Sequence, residues 1–163
     1  MSEIRVRRAA PADAAGMASV HVASWRETYR GLMPDAVLDD PSFLTRRERF
    51  WEAALTDPRY RTNRVAVAER DHEVVGIAMS GAASGPEAQL HLIYLLRRAH
   101  GSGAGQALLD AVIDPTEAAS LWVADPNPRA QAFYRRNRFR PDGEAKEEDG
   151  VHEIRMSRPA LRR

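Results

Sequence analysis

Three places in this chain bring together residue types that can do chemistry. In the first, the apolar run Leu92–Leu96 gives way to Arg97 and Arg98 and then to His100-Gly101-Ser102-Gly103-Ala104-Gly105, after which apolar residues recur at helical spacing. Glycines let a backbone turn tightly, and the first turn of a helix leaves amide N–H groups without internal partners. A glycine loop that opens a helix is therefore an anion site suited to a pyrophosphate, and the helix dipole adds to the attraction. Arg97, Arg98 and His100 bring positive charge beside it. The alternative is a tight connection that holds nothing. A mononucleotide loop would end on Lys and Ser or Thr, but Gln106 and Ala107 follow Gly105 here. A dinucleotide fingerprint would follow the first strand of its domain, whereas this loop follows the fourth expected strand.

The second place is the segment after Asn127, where Phe133 and Tyr134 stand side by side. Phe133 suits a core position. Tyr134 either presents its hydroxyl to a site or buries it against a carbonyl. The third place is His21, Trp25 and Tyr29, spaced four apart and so on one face of a helix. Packing accounts for Trp25, and the polar groups at both ends of the stripe make a ligand-facing lip the competing reading. The five histidines, 21, 72, 91, 100 and 152, show no HExxH spacing, and GxSxG is absent. No metal site and no serine-hydrolase elbow is expected. The chain has no cysteine, which excludes thiolate nucleophiles, disulfides and cysteine-ligated metals.

The elements that must position these residues can be read from periodicity. Residues 4–8 alternate apolar and charged, as a short strand does. After Pro11, Asp13 is placed to cap a helix carrying Ala14, Met17, Val20 and Ala23, which Gly31 ends. A second helix is expected from Ser42 or Thr45 to Leu55. Strands follow at 63–70 and 74–80 across a hairpin-sized gap, then at 90–96 after a loop over 81–86. The last is an almost unbroken apolar run, which reads as a central strand covered on both faces. A helix over 103–113 and a strand at 121–124 come next. Asn127 then caps a further helix with Pro128 at its first position. Two closing strands are placed around Phe139 and over 152–157, with the polar GEAKEEDG turn between them. The expectation is one domain over 1–163, of α/β class, with a mixed sheet of about seven strands flanked by helices.

At 163 residues the chain has room for one domain and can bury a core without staples. Its 24 basic and 23 acidic residues leave a formal net charge of +1, which argues globally for neither nucleic acid nor a membrane surface. All the basic residues except Lys146 are arginine, which reads as the codon bias of a GC-rich bacterial genome. The opening MSEIRVRRAAP has no apolar core of a secretion signal, and no run of about 18 apolar residues could span a bilayer. A cytoplasmic location is expected.

Taken together, these motifs resemble those of the GCN5-related N-acetyltransferase (GNAT) family, and the similarity runs over essentially the whole chain. The family signature Gln/Arg-x-x-Gly-x-Gly/Ala reads His100 to Gly105 here, after a strand ending Leu92-Ile93-Tyr94-Leu95-Leu96. The later segment Asn-x-x-Ala-x-x-Phe-Tyr reads Asn127 to Tyr134, followed by Arg138-Phe139 where the family has Gly-Phe. His21 to Asp35, HVASWRETYRGLMPD, resembles a bacterial subgroup. Two residues depart from the pattern: His100 replaces Arg or Gln, and Arg138 replaces Gly. An Arg at 138 is expected to end its helix with another cap.

The resemblance implies an enzyme that transfers an acetyl group from acetyl-CoA to a primary amine by direct attack, with no acyl-enzyme. By it, backbone N–H groups of Gly101, Ser102, Gly103, Ala104 and Gly105 would hold the coenzyme A pyrophosphate, with Arg97, Arg98 and Gln106 beside them. The strand edge at Leu95 and Leu96 would pair with the pantetheine arm, near Asn127, and the Leu95 N–H would polarise the thioester carbonyl. Tyr134 would protonate the departing thiolate. The family often places a Glu base on the strand equivalent to 89–95. Gln89 cannot serve there and His91 can, with His21 a comparable candidate. His21, Trp25, Tyr29 and Met33 would line the acceptor side. The acceptor would be a small-molecule or peptide amine, with no nucleic-acid or membrane partner, and a homodimer would be in keeping with the family. Two other readings stay open: a regulatory module that binds acyl-CoA without chemistry, and a soluble protein that binds a partner.

Overall fold

In the computed structural model, which describes residues 2–83 and 85–162, the chain runs β1 (Arg5–Arg8), α1 (Ala14–Tyr29), α2 (Asp35–Leu38), α3 (Phe43–Thr56), β2 (Arg64–Arg70), β3 (Glu73–Ala82) and β4 (Ala88–Leu95). It continues α4 (Ala104–Val112), β5 (Ala119–Ala124), α5 (Pro128–Arg136), β6 (Arg140–Glu148) and β7 (Val151–Arg158), with short 3-10 turns at Pro11–Asp13, Pro58–Tyr60 and Arg97–Ala99. The strands form one mixed seven-stranded sheet in the order β1-β2-β3-β4-β5-β7-β6, the α/β architecture expected. β4 is its centre. Every pairing is antiparallel except β4 with β5.

That parallel pair is short. β4 pairs with β3 from Ala82↔Ala88 to Gly76↔Leu95, but it meets β5 only from Ala88↔Ala119 to Leu90↔Leu121. β5 instead continues along β7 as far as Ala124↔Glu153. The sheet therefore opens into a fork, and among the described residues no strand pairs with the β5-side edge of β4 from His91 to Leu95. The parting begins at a β-bulge. Ser80 pairs with Leu90 and Met79 with Leu92, so His91 is the extra residue, and a bulge bends and twists the strand that carries it.

Two cores lie on opposite faces of the sheet. On one, α4 and α5 bury Leu90, Leu108, Leu121, Tyr134, Phe139 and Met156. On the other, α1 and α3 bury Met17, Val20, Trp51, Val67, Ile77 and Met79. α1 packs mainly on β3 and β4. Trp122, Ala124, Glu153 and Lys146 share the other face of β5, β7 and β6, where they line a cavity with the end of α1.

Local chemistry sets the joints, and several differ from the sequence expectation. Asp13 does not cap α1 with its side chain; its carboxylate accepts from the Ala10 N–H at 2.7 Å and pairs with Arg7 at 2.8 Å, so it closes the turn before the helix. Asn127 does cap α5, its Oδ1 accepting from the Ala130 N–H at 3.3 Å. Arg138 keeps the left-handed conformation, φ 72°, that a glycine would supply after α5, so the expected change of cap does not occur. Its guanidinium donates to the carbonyls of Pro115 and Pro159. The closing hairpin is longer than read: Glu144–Glu148 belong to β6, and the turn is only Asp149-Gly150, both at positive φ. Such a two-residue turn matches the twist of antiparallel strands, as Asp71-His72 also does between β2 and β3. Of the loop expected over 81–86, Gly81 and Ala82 belong to β3, and Ser84 lies outside the described residues.

Candidate active site

The fork holds a cavity of about 730 Å3 whose two ends are built from different kinds of group. One end is backbone. The Leu96 N–H donates to the Val75 carbonyl at 2.9 Å, so by strand alternation Ile93 and Leu95 turn their N–H and C=O groups toward the fork. His100, standing where the family has Arg or Gln, donates from Nε2 to the Leu95 carbonyl at 3.0 Å, which leaves the Leu95 N–H as the edge donor. Gly101 (φ 76°) and Gly103 (φ 84°) take left-handed conformations that side chains disfavour. Gly105 differs. A Cβ there would meet only Phe133 ring carbons at 3.8 Å, an ordinary contact, so packing does not demand glycine and the open space beside it is the cavity.

Tyr134 lines the cavity where α5 crosses it. Burial, with smaller influences from Tyr94 and Tyr29, raises its pKa well above that of a free phenol and holds it protonated. Asn127, the N-cap of α5 about two turns before Tyr134, lines the same wall.

The other end is made of side chains: Ser24 and Tyr29 from α1, Tyr94 from β4, Glu148 from β6 and Glu153 from β7. The pKa of Tyr29 is raised by burial and by the neighbouring Tyr94 and Glu153. The Ser24 hydroxyl is buried, 3% exposed, and has no hydrogen-bond partner. Glu153 has its pKa raised by burial first; Lys146 opposes this, while Glu148 and Asp149 reinforce it, Glu148 lying within hydrogen-bonding reach. Lys146 Nζ sits 3.1 Å from Glu148 Oε2 and 4.5 Å above the Trp122 ring.

Of the residues expected to hold a coenzyme, Leu95, Gly101, Gly103, Gly105, Gln106, Asn127 and Tyr134 line the cavity. Others do not. Leu96 packs between the two cores. Arg97 donates to the Glu27 carbonyl at 3.1 Å, and Arg98 pairs with Glu73 at 3.1 Å, so neither guanidinium turns to the cavity. Ser102 Oγ donates to Ala99 and accepts from the Ala104 N–H, and the Ala104 side chain is in the core. The Gln106 amide donates to Asp110 and Asn137, joining α4 to the end of α5.

On the acceptor side, Tyr29 and His91 line the cavity, whereas His21, Trp25 and Met33 do not. His21 is a core residue. Its Nδ1 accepts from the Trp51 indole N–H at 3.2 Å, and burial with the nearby Arg47 charge pushes its pKa down to about 3. The Trp25 indole N–H is buried without a well-formed hydrogen bond beside the Tyr94 hydroxyl, and its ring meets Tyr29 edge-on at 5.3 Å. It positions the cavity wall from behind. Met33 is buried, its N–H donating to the Tyr29 carbonyl at 2.9 Å.

Sequence reasoning missed Ser24, Tyr94, Glu148 and Glu153. A partial signal existed for the last. With Ile154 and Met156 facing the core, Glu153 must face the other way, but only the strand order shows that this face borders the fork.

The sequence model of the acetyltransferase (GNAT) family matches residues 22–139. A probable N-acetyltransferase of Mycobacterium tuberculosis is 27% identical over 148 residues, 87% of this chain and 83% of that protein. An uncharacterized N-acetyltransferase of Bacillus subtilis is 27% identical over 168 residues, 97% of this chain and 91% of that protein. Among solved structures, the PaiA N-acetyltransferase of Thermoplasma acidophilum in complex with coenzyme A superposes with a TM-score of 0.77 at 17% identity, covering 96% of this chain and 99% of that one. A histone acetyltransferase HPA2-related protein of Corynebacterium glutamicum gives 0.72 at 24% identity, covering 100% and 99%.

Proposed function

The chain belongs to the acetyltransferase (GNAT) family, and from that premise we propose how its cavity divides the work of moving an acetyl group from acetyl-CoA to a primary amine. The observation that carries this reading is the fork. A strand edge with a free amide, a glycine loop opening a helix and a protonated tyrosine converge on one cavity. The residues fit the coenzyme: the N–H groups around Gly101–Gly105 suit its pyrophosphate, and the unfilled space at Gly105 suits close approach. Acetyl-CoA supplies the activated acyl group as a thioester.

The Leu95 N–H faces the position where negative charge develops on the thioester oxygen, an oxyanion-type contact. Asn127 borders the pantetheine passage while its side chain holds the start of α5. Tyr134 gives its proton to the leaving sulfur. Tyr29 and Tyr94 form the wall against which a small-molecule or peptide amine lies. His91 and Glu153 are two of the groups on that wall that could act as a base.

Calorimetric titration with acetyl-CoA, with NAD and ATP as controls, tests the coenzyme end, and thiol release with a panel of primary amines tests the chemistry. Binding of acetyl-CoA alone with amine-dependent thiol release is expected. Binding without release by any amine would make the protein a coenzyme-binding module instead.

A further inference from the structure

An amine acceptor arrives as an ammonium ion at neutral pH and must lose a proton before its nitrogen can attack. Two groups on the wall that could serve as its base, His91 and Glu153, stand in opposite circumstances. His91 is the bulge residue at the closed end of the fork, with Nε2 so near Gly81 that a Cβ there would lie 2.7 Å away. Its pKa is lowered by burial alone. Burial weakens an imidazole as a base and strengthens a carboxylate. Glu153 lies at the open end, opposite Ala124 on β5 and Lys146 on β6. Burial is the main cause that raises the Tyr29 and Tyr94 phenols, and the nearby Glu153 carboxylate adds a smaller push to each. Tyr29, Tyr94, Tyr134 and Glu153 all line one cavity.

The partners of Glu153 also separate it from its neighbour. Lys146 makes its ion pair with Glu148, not with Glu153, so Glu148 is the carboxylate with a fixed countercharge. The buried Ser24 hydroxyl, unpartnered and lining the same end, is a polar group awaiting a donor such as an ammonium. We propose that Glu153 is the general base of this enzyme, taking the proton of an acceptor ammonium held between the Glu148–Glu153 pair, Tyr29 and Ser24. The inference rests on the acetyltransferase reading and names the acceptor as an amine that enters in its cationic form.

The proton accounting closes. Glu153 takes one proton from the ammonium, and the freed lone pair forms the N–C bond as the C–S bond breaks with its electrons on sulfur. Tyr134 protonates the sulfur, the second nitrogen proton restores the Tyr134 hydroxyl, and Glu153 returns its proton to water. One proton is released per amide formed.

Groups facing Glu153 are Tyr29 from α1, Tyr94 from β4, Lys146 and Glu148 from β6, and Asp149 from the hairpin turn. Their charges predict a signature that a merely structural glutamate would lack. Glu153→Gln should lower kcat by about 100-fold or more while leaving the KM for acetyl-CoA unchanged, and Glu153→Asp should restore part of the rate. In kcat/KM against pH, Glu148→Gln removes a like charge and should move the acidic limb down, whereas Lys146→Met should move it up. Carbon-13 glutamate NMR on the protein without coenzyme should show a carboxyl titrating above the ordinary range that disappears in Glu153→Gln. The proposal is overturned if Glu153→Gln keeps wild-type kcat, if His91→Asn moves the limb instead, or if no such carboxyl is seen. A limb that stays at the acceptor's own pKa in every variant overturns it as well. Wild-type turnover separates the two readings: without it the transferase reading fails and takes this one along, and with it only the role of Glu153 is at stake.

Discussion

The coenzyme end of the cavity draws its ligand-facing groups from two short stretches, residues 95–106 and 127–134, while the acceptor end draws them from α1, β4, β6 and β7. At the first end the groups are mainly amides, aimed by strand alternation, by two left-handed glycines and by the start of a helix. At the second they are hydroxyls and carboxylates whose properties come from one another. An amide keeps its dipole whatever surrounds it, so a loop of a few residues can define an anion site. A carboxyl acquires its basicity from burial and from neighbouring charge, so Glu153 has its character only where four elements meet.

The largest break in this contrast is expected at the residue standing between the two ends. Tyr134→Phe should cut kcat by about 100-fold or more with the acetyl-CoA Kd held, as a proton donor requires. If thiol release and calorimetry show Kd rising as far as kcat falls, Tyr134 belongs to the coenzyme end alone.

Behind the acceptor wall, His21 is neutral in the fold with its pKa pushed down to about 3, against about 6.5 in the unfolded chain. Because the folded value is the lower one, the unfolded chain binds the extra proton first. Stability is full above about pH 6.5 and falls by up to about 1.4 kcal/mol per pH unit as pH drops toward 3. Urea unfolding from pH 7 to pH 4 should show a shallower decline in His21→Gln than in wild type. Equal slopes would remove His21 from the acid response.

A finer comparison sets two glycines of one loop against each other. Gly103→Ala forces a side chain into the left-handed region and should cost about 1 kcal/mol in thermal unfolding. Gly105→Ala meets only ordinary contact inside the protein, so Tm should hold while acetyl-CoA binding weakens about tenfold, near 1.4 kcal/mol. Loss of Tm at 105 with unchanged affinity would mean that this glycine serves packing.

The smallest effect is expected at Arg138→Gly. Relief of the left-handed Arg is offset by the greater freedom of glycine in the unfolded chain, and the bonds to Pro115 and Pro159 are lost. A net destabilisation below about 1 kcal/mol should appear in thermal unfolding; a gain would show that strain at 138 dominates.

Much of the fold was legible in the chain because its signals are local. The apolar run ending at Leu95, the Asn127-Pro128 helix start and the spacing of Gly101, Gly103 and Gly105 each act within a few residues. Errors arose where a local signal had two outlets. The charged stretch Glu144–Glu148 looks like a turn, yet it is an edge strand exposed along its length, which tolerates charge because one side faces water. The stripe His21-Trp25-Tyr29 was correctly one helical face, but α3 lies against its first two residues and only Tyr29 reaches the cavity.

By itself, then, the sequence determined the order of elements, the backbone turns and the amide-lined end of the site, because periodicity, glycine conformation and helix termini are properties of short segments. The tertiary structure decided that β4 and β5 part after Leu90 and Leu121, that His21 is sealed behind Trp51, and that Glu153 lies beside Glu148, Tyr29 and Tyr94. Desolvation and charge proximity sum over every neighbour in space, and those neighbours come from positions far apart along the chain.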